Sequence, residues 1–227
     1  SLPSASTKNS RKSPNRPRPD PFMIRAFIFD ICDTVIRTAG TPALLRLPGL
    51  SPNHNAESLE QWFGANATYI AYEKGQASTA QFLHSVRTGL ELQTDDETLA
   101  QAFIDLIVGE IDGVPQLLQH LQYRYPLYAL SNNNPLLWQG IQQISPAMAL
   151  FKKIYLSQEI GLLKPDPRAF QHALDDIGCC AQEVVLVDDN PACIQEAQKM
   201  GFQALLFTDA AALENQLTSL LNGQIGT

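Results

Sequence analysis

From residue 24 onward the chain alternates short apolar runs with longer segments of helical periodicity, and this alternation constrains the fold more than any other feature. Apolar runs of about four to six residues have the length of strands buried on both faces, and such strands, separated by amphipathic helices, pair in parallel with helices on both sides of the sheet. The first run covers 24–29. After 113 the order repeats: helix 115–124, strand 127–130, helix 135–144, strand 153–156, helix 167–177, strand 184–187, helix 191–200, strand 204–207 and helix 210–221. Pro115, Pro135, Pro167 and Pro191 stand in first turns, where a missing N–H costs nothing, and Gly178 and Gly201 follow helix ends. The pattern predicts an α/β fold, a doubly wound parallel sheet with a Rossmann-like core.

Between 39 and 112 the pattern changes. No strand is evident there, whereas Leu59, Trp62 and Phe63, then Phe82, Leu83 and Val86, then Leu99, Phe103 and Leu106 recur at helical spacing. The expected organisation is an α/β core from 23–38 and 113–227, with a small helical unit at 39–112 inserted after the first strand. A chain of 227 residues, 44% hydrophobic, has room for one such core and a modest insertion.

Residues 1–22 are rich in Ser, Pro, Asn and Arg and carry Lys8, Arg11, Lys12, Arg16 and Arg18 against the single acid Asp20. They are expected to form a solvated, disordered basic tail. The remainder is therefore more acidic than the overall charge of −7, which argues against a nucleic-acid partner. No apolar run approaches the roughly 18 residues of a membrane span, and the start does not resemble a signal peptide. Cys32, Cys179, Cys180 and Cys193 form no C-x-x-C pair and no disulfide framework. A reduced, cytoplasmic protein acting on a small substrate is expected.

Open parallel sheets bind ligands beyond the carboxyl ends of their strands. Polar residues close four of the apolar runs: Asp30 to Thr34, then Ser131 and Asn132, then Lys164 in the next loop, then Asp188 and Asp189. Each alone reads as an ordinary cap or turn residue. All four at successive strand ends read as a site.

In order and spacing, Phe29-Asp30-Ile31-Cys32-Asp33-Thr34-Val35, Leu130-Ser131-Asn132-Asn133, Gly161-Leu162-Leu163-Lys164-Pro165-Asp166-Pro167 and Leu186-Val187-Asp188-Asp189-Asn190 resemble the four motifs of the haloacid dehalogenase-like superfamily. The stretch Ile154-Tyr155-Leu156-Ser157-Gln158-Glu159-Ile160-Gly161 is similar to the branch containing glucose-1-phosphate phosphatases and the phosphatase domains of epoxide hydrolases. The resemblance implies a phosphatase for a small phosphorylated metabolite. Asp30 would be nucleophile and metal ligand, the backbone carbonyl of Cys32 a second ligand, Asp189 with the help of Asp188 the remaining acidic anchor, and Mg²⁺ the ion. Ser131, the Asn132 backbone and Lys164 would hold the phosphoryl oxygens. The chemistry is coherent, because a carboxylate attacking a phosphate dianion needs nearby positive charge, and oxygen-only ligands suit Mg²⁺. As a loop lysine, Lys164 is expected to contribute charge and little packing.

The resemblance also implies that 39–112 is a cap closing over the site. His54, Trp62, Tyr69, Tyr72 and Lys74 could reach a leaving group, but each reads more readily as core or surface, and none is assigned to the site. One departure stands out. The superfamily's phosphatases usually carry a second Asp two positions after the nucleophile, as the acid that protonates the leaving oxygen, and Cys32 stands there instead. A thiol is a poor donor, and general acid catalysis is typically worth about 10²- to 10⁴-fold. Asp33 could take the acid role or, in place of the family's usual Gly, stabilise the turn. Sugar 1-phosphates or acyl phosphates, which leave with less need of a proton, fit this departure best. Two other readings stay open: a metal-independent haloacid dehalogenase, which also lacks the second Asp but does not keep paired carboxylates in its fourth motif, and a catalytically impaired relative acting as a binding or regulatory module.

Overall fold

The structure is a computed structural model and describes residues 23–222; the expected tail at 1–22 lies outside them. Seven strands occur among the described residues: β1 (Ala26–Phe29), β2 (Ile36–Thr38), β3 (Ile107–Glu110), β4 (Leu127–Ser131), β5 (Lys153–Leu156), β6 (Val184–Asp188) and β7 (Gln203–Leu206). Five build a parallel sheet in the order β5-β4-β1-β6-β7. Every residue of β1, β4 and β6 is buried, which is why these strands read as unbroken apolar runs. Side chains alternate between two cores. Phe27, Phe29, Val185 and Val187 face helices Val114–Gln122 and Ala210–Asn222. Ala26, Ile28, Leu130 and Leu186 face Phe170 and Leu174 of helix Pro167–Ile177 and Ala197 of helix Pro191–Met200.

The strand order sets the site. From β1 the chain passes to β4 and β5 on one side, then returns to β6 and β7 on the other, so the order reverses around β1. The crevice beyond its carboxyl end lies between connections that leave in opposite directions, where doubly wound sheets take ligands.

Among the described residues five helices precede β3: Gly40–Leu44, Ala56–Ala65, Ala67–Glu73, Thr79–Gly89 and Asp96–Ile104. Asn55 with Ser58 and Ser78 with Gln81 form capping boxes that start two of them. They enclose a separate core of Leu59, Phe63, Tyr72, Phe82, Val86 and Phe103, in which the Tyr72 and Phe82 rings stack at 4.5 Å. This unit is held on the sheet domain at close range. Ser157 Oγ donates to the Glu73 carbonyl at 2.7 Å, and Gly75, at φ +66°, lies so near that a Cβ there would meet the Gln158 carbonyl oxygen at 2.0 Å. Only glycine fits.

Two strands correct the sequence reading. β2 and β3 pair antiparallel, Ile36 opposite Glu110, and β3 lies inside the 39–112 stretch where no strand is expected. They are short and half-exposed, and their ladder joins segments about 70 residues apart, so nothing local marks them. The helix expected to reach Leu106 ends at Ile104. No helix among the described residues is long and apolar enough to cross a membrane.

Candidate active site

Asp30 follows β1, and its N–H donates to the Val187 carbonyl of β6 at 2.8 Å, fixing the strand end between its neighbours. The chain then turns tightly, with the N–H groups of Val35 and Ile36 both donating to the Ile31 carbonyl at 2.8 Å. Asp33 sits at φ +58°, a conformation Asp tolerates better than most residues. Its carboxylate accepts from the Thr38 N–H at 2.9 Å and the Thr38 hydroxyl at 2.8 Å. Asp33 is thus engaged in stabilising the turn into β2.

Lys164 connects two strand ends. Its Nζ donates to Asp30 Oδ1 at 2.7 Å and to Asp188 Oδ2 at 2.6 Å. It is 6% exposed, which corrects the expectation of a loop lysine that packs little: the loop folds its side chain inward between two buried carboxylates. The Asn132 side chain holds that loop at both polar groups of one residue, Nδ2 donating to the Lys164 carbonyl at 2.8 Å and Oδ1 accepting from the Lys164 N–H at 2.7 Å. Ser131 is buried and its hydroxyl turns to the Asn132 carbonyl at 3.4 Å.

Asp189 completes the cluster: one carboxylate oxygen from each of Asp30, Asp188 and Asp189 lies within 4.8 Å of the others. Burial pushes the Asp30 carboxyl above its ordinary range, Lys164 pulls it down, and Asp188 pushes it up again. Burial works against the Lys164 ammonium, but Asp30 and Asp188 outweigh it and keep the group charged. Three carboxylates against one lysine leave an excess of negative charge offering only oxygen donors. This donor set fits a hard divalent cation.

Beside the cluster lies a cavity of about 260 Å³. Cys32, Asp33 and Asn132 line it from the sheet side; Phe63, Tyr69, Glu73 and Phe103 line it from the inserted helices. Burial and then the charge of Asp30 push the Cys32 thiol far above its ordinary range, so it stays neutral. Burial pushes Glu73 up to about 6 against a weaker downward pull from Tyr69, and burial and Glu73 hold the Tyr69 hydroxyl well above its usual value.

The family model of haloacid dehalogenase-like hydrolases matches residues 24–201. The chain belongs to this family. It is 25% identical over 215 residues to a D-ribitol-5-phosphate phosphatase of Bacteroides thetaiotaomicron, covering 88% of this chain and all of that one. It is 25% identical over 207 residues to a drimenol cyclase of Aspergillus calidoustus, covering 87% of this chain but spanning only 37% of the cyclase. In fold it resembles a haloacid dehalogenase family enzyme of Bacteroides thetaiotaomicron in complex with magnesium and inorganic phosphate, with a TM-score of 0.71 and 22% identity over 82% of this chain and 95% of that one.

Within this haloacid dehalogenase-like hydrolase, the residues singled out from sequence at the four strand ends do converge: Asp30, Lys164, Asp188 and Asp189 form one cluster, and Cys32, Asp33 and Asn132 border it along the cavity. Of the residues picked out at 39–112, Tyr69 lines the cavity, whereas His54, Trp62, Tyr72 and Lys74 are not among its lining residues. Trp62 packs edge-on against Phe63, and Tyr72 is fully buried in the helical core. Glu73 was not singled out. Its one sequence signal is its spacing, four residues after Tyr69 and so on the same helix face.

Proposed function

We propose that this hydrolase is a Mg²⁺-dependent phosphatase acting on a small phosphorylated metabolite through an aspartyl-phosphate on Asp30. The observation that carries the proposal is the clustering of Asp30, Asp188 and Asp189 around a buried, charged Lys164. The likeness to a ribitol phosphate phosphatase along that enzyme's whole length supports the substrate class, and the fold shared with an enzyme holding magnesium and phosphate supports the ion. The four cysteines, all unpaired, suit a reducing, cytoplasmic setting.

Asp30, Asp188 and Asp189, with the Cys32 carbonyl, would hold Mg²⁺, which would offset the like charges of nucleophile and phosphate. Asp30 attacks phosphorus; a new O–P bond forms as the bond to the leaving oxygen breaks. Lys164 has three donors, and with the Ser131 hydroxyl and the Asn132 N–H it binds the phosphoryl oxygens. Water then cleaves the aspartyl-phosphate and regenerates Asp30. The leaving oxygen is served poorly, since the Cys32 thiol is a neutral, reluctant acid and Asp33 is turned to Thr38. Esters with good leaving groups, such as sugar 1-phosphates, are therefore favoured. The paired acids Asp188 and Asp189 speak against a metal-independent dehalogenase.

Titration of Mg²⁺ by calorimetry, together with phosphate release with and without Mg²⁺, tests the reading. Wild type should bind the ion and require it, and Asp189→Ala should lose the binding. Undiminished affinity in Asp189→Ala would remove the metal assignment, and metal-free turnover of a haloacid would establish the dehalogenase instead.

A further inference from the structure

We infer that Glu73 determines substrate specificity: it accepts a hydrogen bond from a hydroxyl or ammonium on the leaving group, and the cavity rejects leaving groups that carry a second anion. The inference rests on the phosphatase reading of the neighbouring cluster and names the class of alcohol released there.

Glu73 is the last residue of helix Ala67–Glu73. Its carbonyl is tied to Ser157 and the following turn is pressed against Gln158 through Gly75, so the backbone that carries this side chain is fixed relative to the sheet. The side chain lines the cavity shared with Cys32 and Asn132. The Tyr69 hydroxyl of its own helix lies beside it, and Cys32 and Asp33, from the loop after β1, line the same cavity. Among the described residues no lysine, arginine or histidine lines this cavity, and Glu73 enters no ion pair. The adjacent Lys74 is not among the residues lining the cavity.

A partly buried carboxylate without a cation is costly unless something completes it, and Glu73 has only a tyrosine. A ligand donor would satisfy it. Two acids on the walls and no base repel a carboxylate or second phosphate. The volume of about 260 Å³ falls just below the roughly 300–1,000 Å³ range of pockets for drug-sized ligands, which suits a leaving group of a few carbons. Phe63, Phe103 and Leu106 offer apolar walls to its carbon chain.

The test compares wild type, Glu73→Met and Glu73→Gln in the full chain on four esters: ribitol 5-phosphate, ethanolamine phosphate, 3-phosphoglycerate and phenyl phosphate. Wild type should prefer the first two to 3-phosphoglycerate. Glu73→Met, similar in volume but unable to accept, should lower kcat/KM on those two by about 10- to 100-fold, the worth of a hydrogen bond to a charged group, mainly through KM. Turnover of phenyl phosphate, which has no donor, should hardly change. Glu73→Gln separates the two donor types, retaining part of the hydroxyl preference and losing that for ammonium. An equal fall on all four esters would make Glu73 merely structural, and no change on any, or wild-type use of 3-phosphoglycerate as readily as ribitol 5-phosphate, would overturn the inference. If wild type hydrolyses no ester, the phosphatase reading itself fails, and calorimetry with free ribitol and ethanolamine decides on Glu73: binding abolished by Glu73→Met upholds its role, and absence of binding removes it.

Discussion

On the sheet side of the cavity Asp30 and Asp188 share one buried lysine, whereas on the helical side the Glu73 carboxylate has a tyrosine beside it and, among the described residues, no cation lining the cavity. The backbones differ as well. Lys164 is clamped at its N–H and its carbonyl by one asparagine side chain, and Asp33 is tied to Thr38; Glu73 ends a seven-residue helix anchored at one carbonyl. On the proposed function the contrast separates two tasks. Groups that stabilise developing charge work best when preorganised and already paired, while a group that reads a ligand keeps its hydrogen-bonding capacity free until the ligand arrives.

The largest expected effect lies on the sheet side. Asp30→Asn should reduce turnover by a factor on the order of 10⁴ or more, because an amide cannot form the acyl phosphate, and should abolish binding of beryllofluoride, a phosphoryl mimic. Substantial residual turnover would move the nucleophile elsewhere.

Lys164→Ala follows. Removing the shared cation strands Asp30 and Asp188 in the interior, and breaking a buried pair in this way costs about 3–5 kcal/mol. Urea unfolding at neutral pH should record the loss, and the loss should shrink in acid as the stranded carboxylates protonate. A variant as stable as wild type would mean that the sheet side is no more tightly compensated than the helical side, and the comparison would collapse.

A smaller effect should come from the border between the two walls. Cys32→Asp restores a carboxyl group beside the cavity and should raise turnover of alkyl phosphates about 100-fold, within the usual range of general acid catalysis, with far less gain on phenyl phosphate. A steep dependence on leaving-group pKa in wild type that Cys32→Asp flattens would identify proton transfer. If Asp33→Asn alone steepens it, Asp33 is the acid.

The smallest is the pH dependence of stability contributed by Glu73. Burial raises its folded-state pKa from 4.5 to about 6, so between these values the folded state holds more protons than the unfolded one, and stability falls as pH rises through this window. Glu73→Gln should therefore gain on wild type from about pH 4.5 to 6 and level off above, by on the order of 1 kcal/mol once screening of a partly exposed group is allowed for. Parallel stability profiles would mean that burial of the Glu73 carboxyl is compensated after all.

Much of the fold was legible because its signals are local. β1, β4 and β6 are buried on both faces, so their sequences form apolar runs, and the polar residue that closes each run stands at the carboxyl edge of the sheet. The same rule located Asp30, Ser131 and Asp188. It failed for β2 and β3, whose half-exposed residues carry no clear period and whose pairing is made by chain closure. For Trp62 and Tyr72, which the sequence favours as core residues over ligand contacts, the core reading holds, because the inserted helices need them for their own packing.

By itself the sequence determined the five strands of the parallel sheet and the helices between the last four of them, the carboxylates and lysine at the strand ends, and the absence of a second aspartate at Cys32, since periodicity, turn chemistry and residue identity are properties of neighbouring positions. Only the tertiary structure decided that Lys164 is buried between acids 134 and 24 residues away, that Asn132 locks its backbone, and that Glu73 lines a cavity to which the described residues contribute no cation. The reason is physical: burial, and with it the strength of every charge–charge interaction, depends on which distant segments exclude water together, and no local pattern records that.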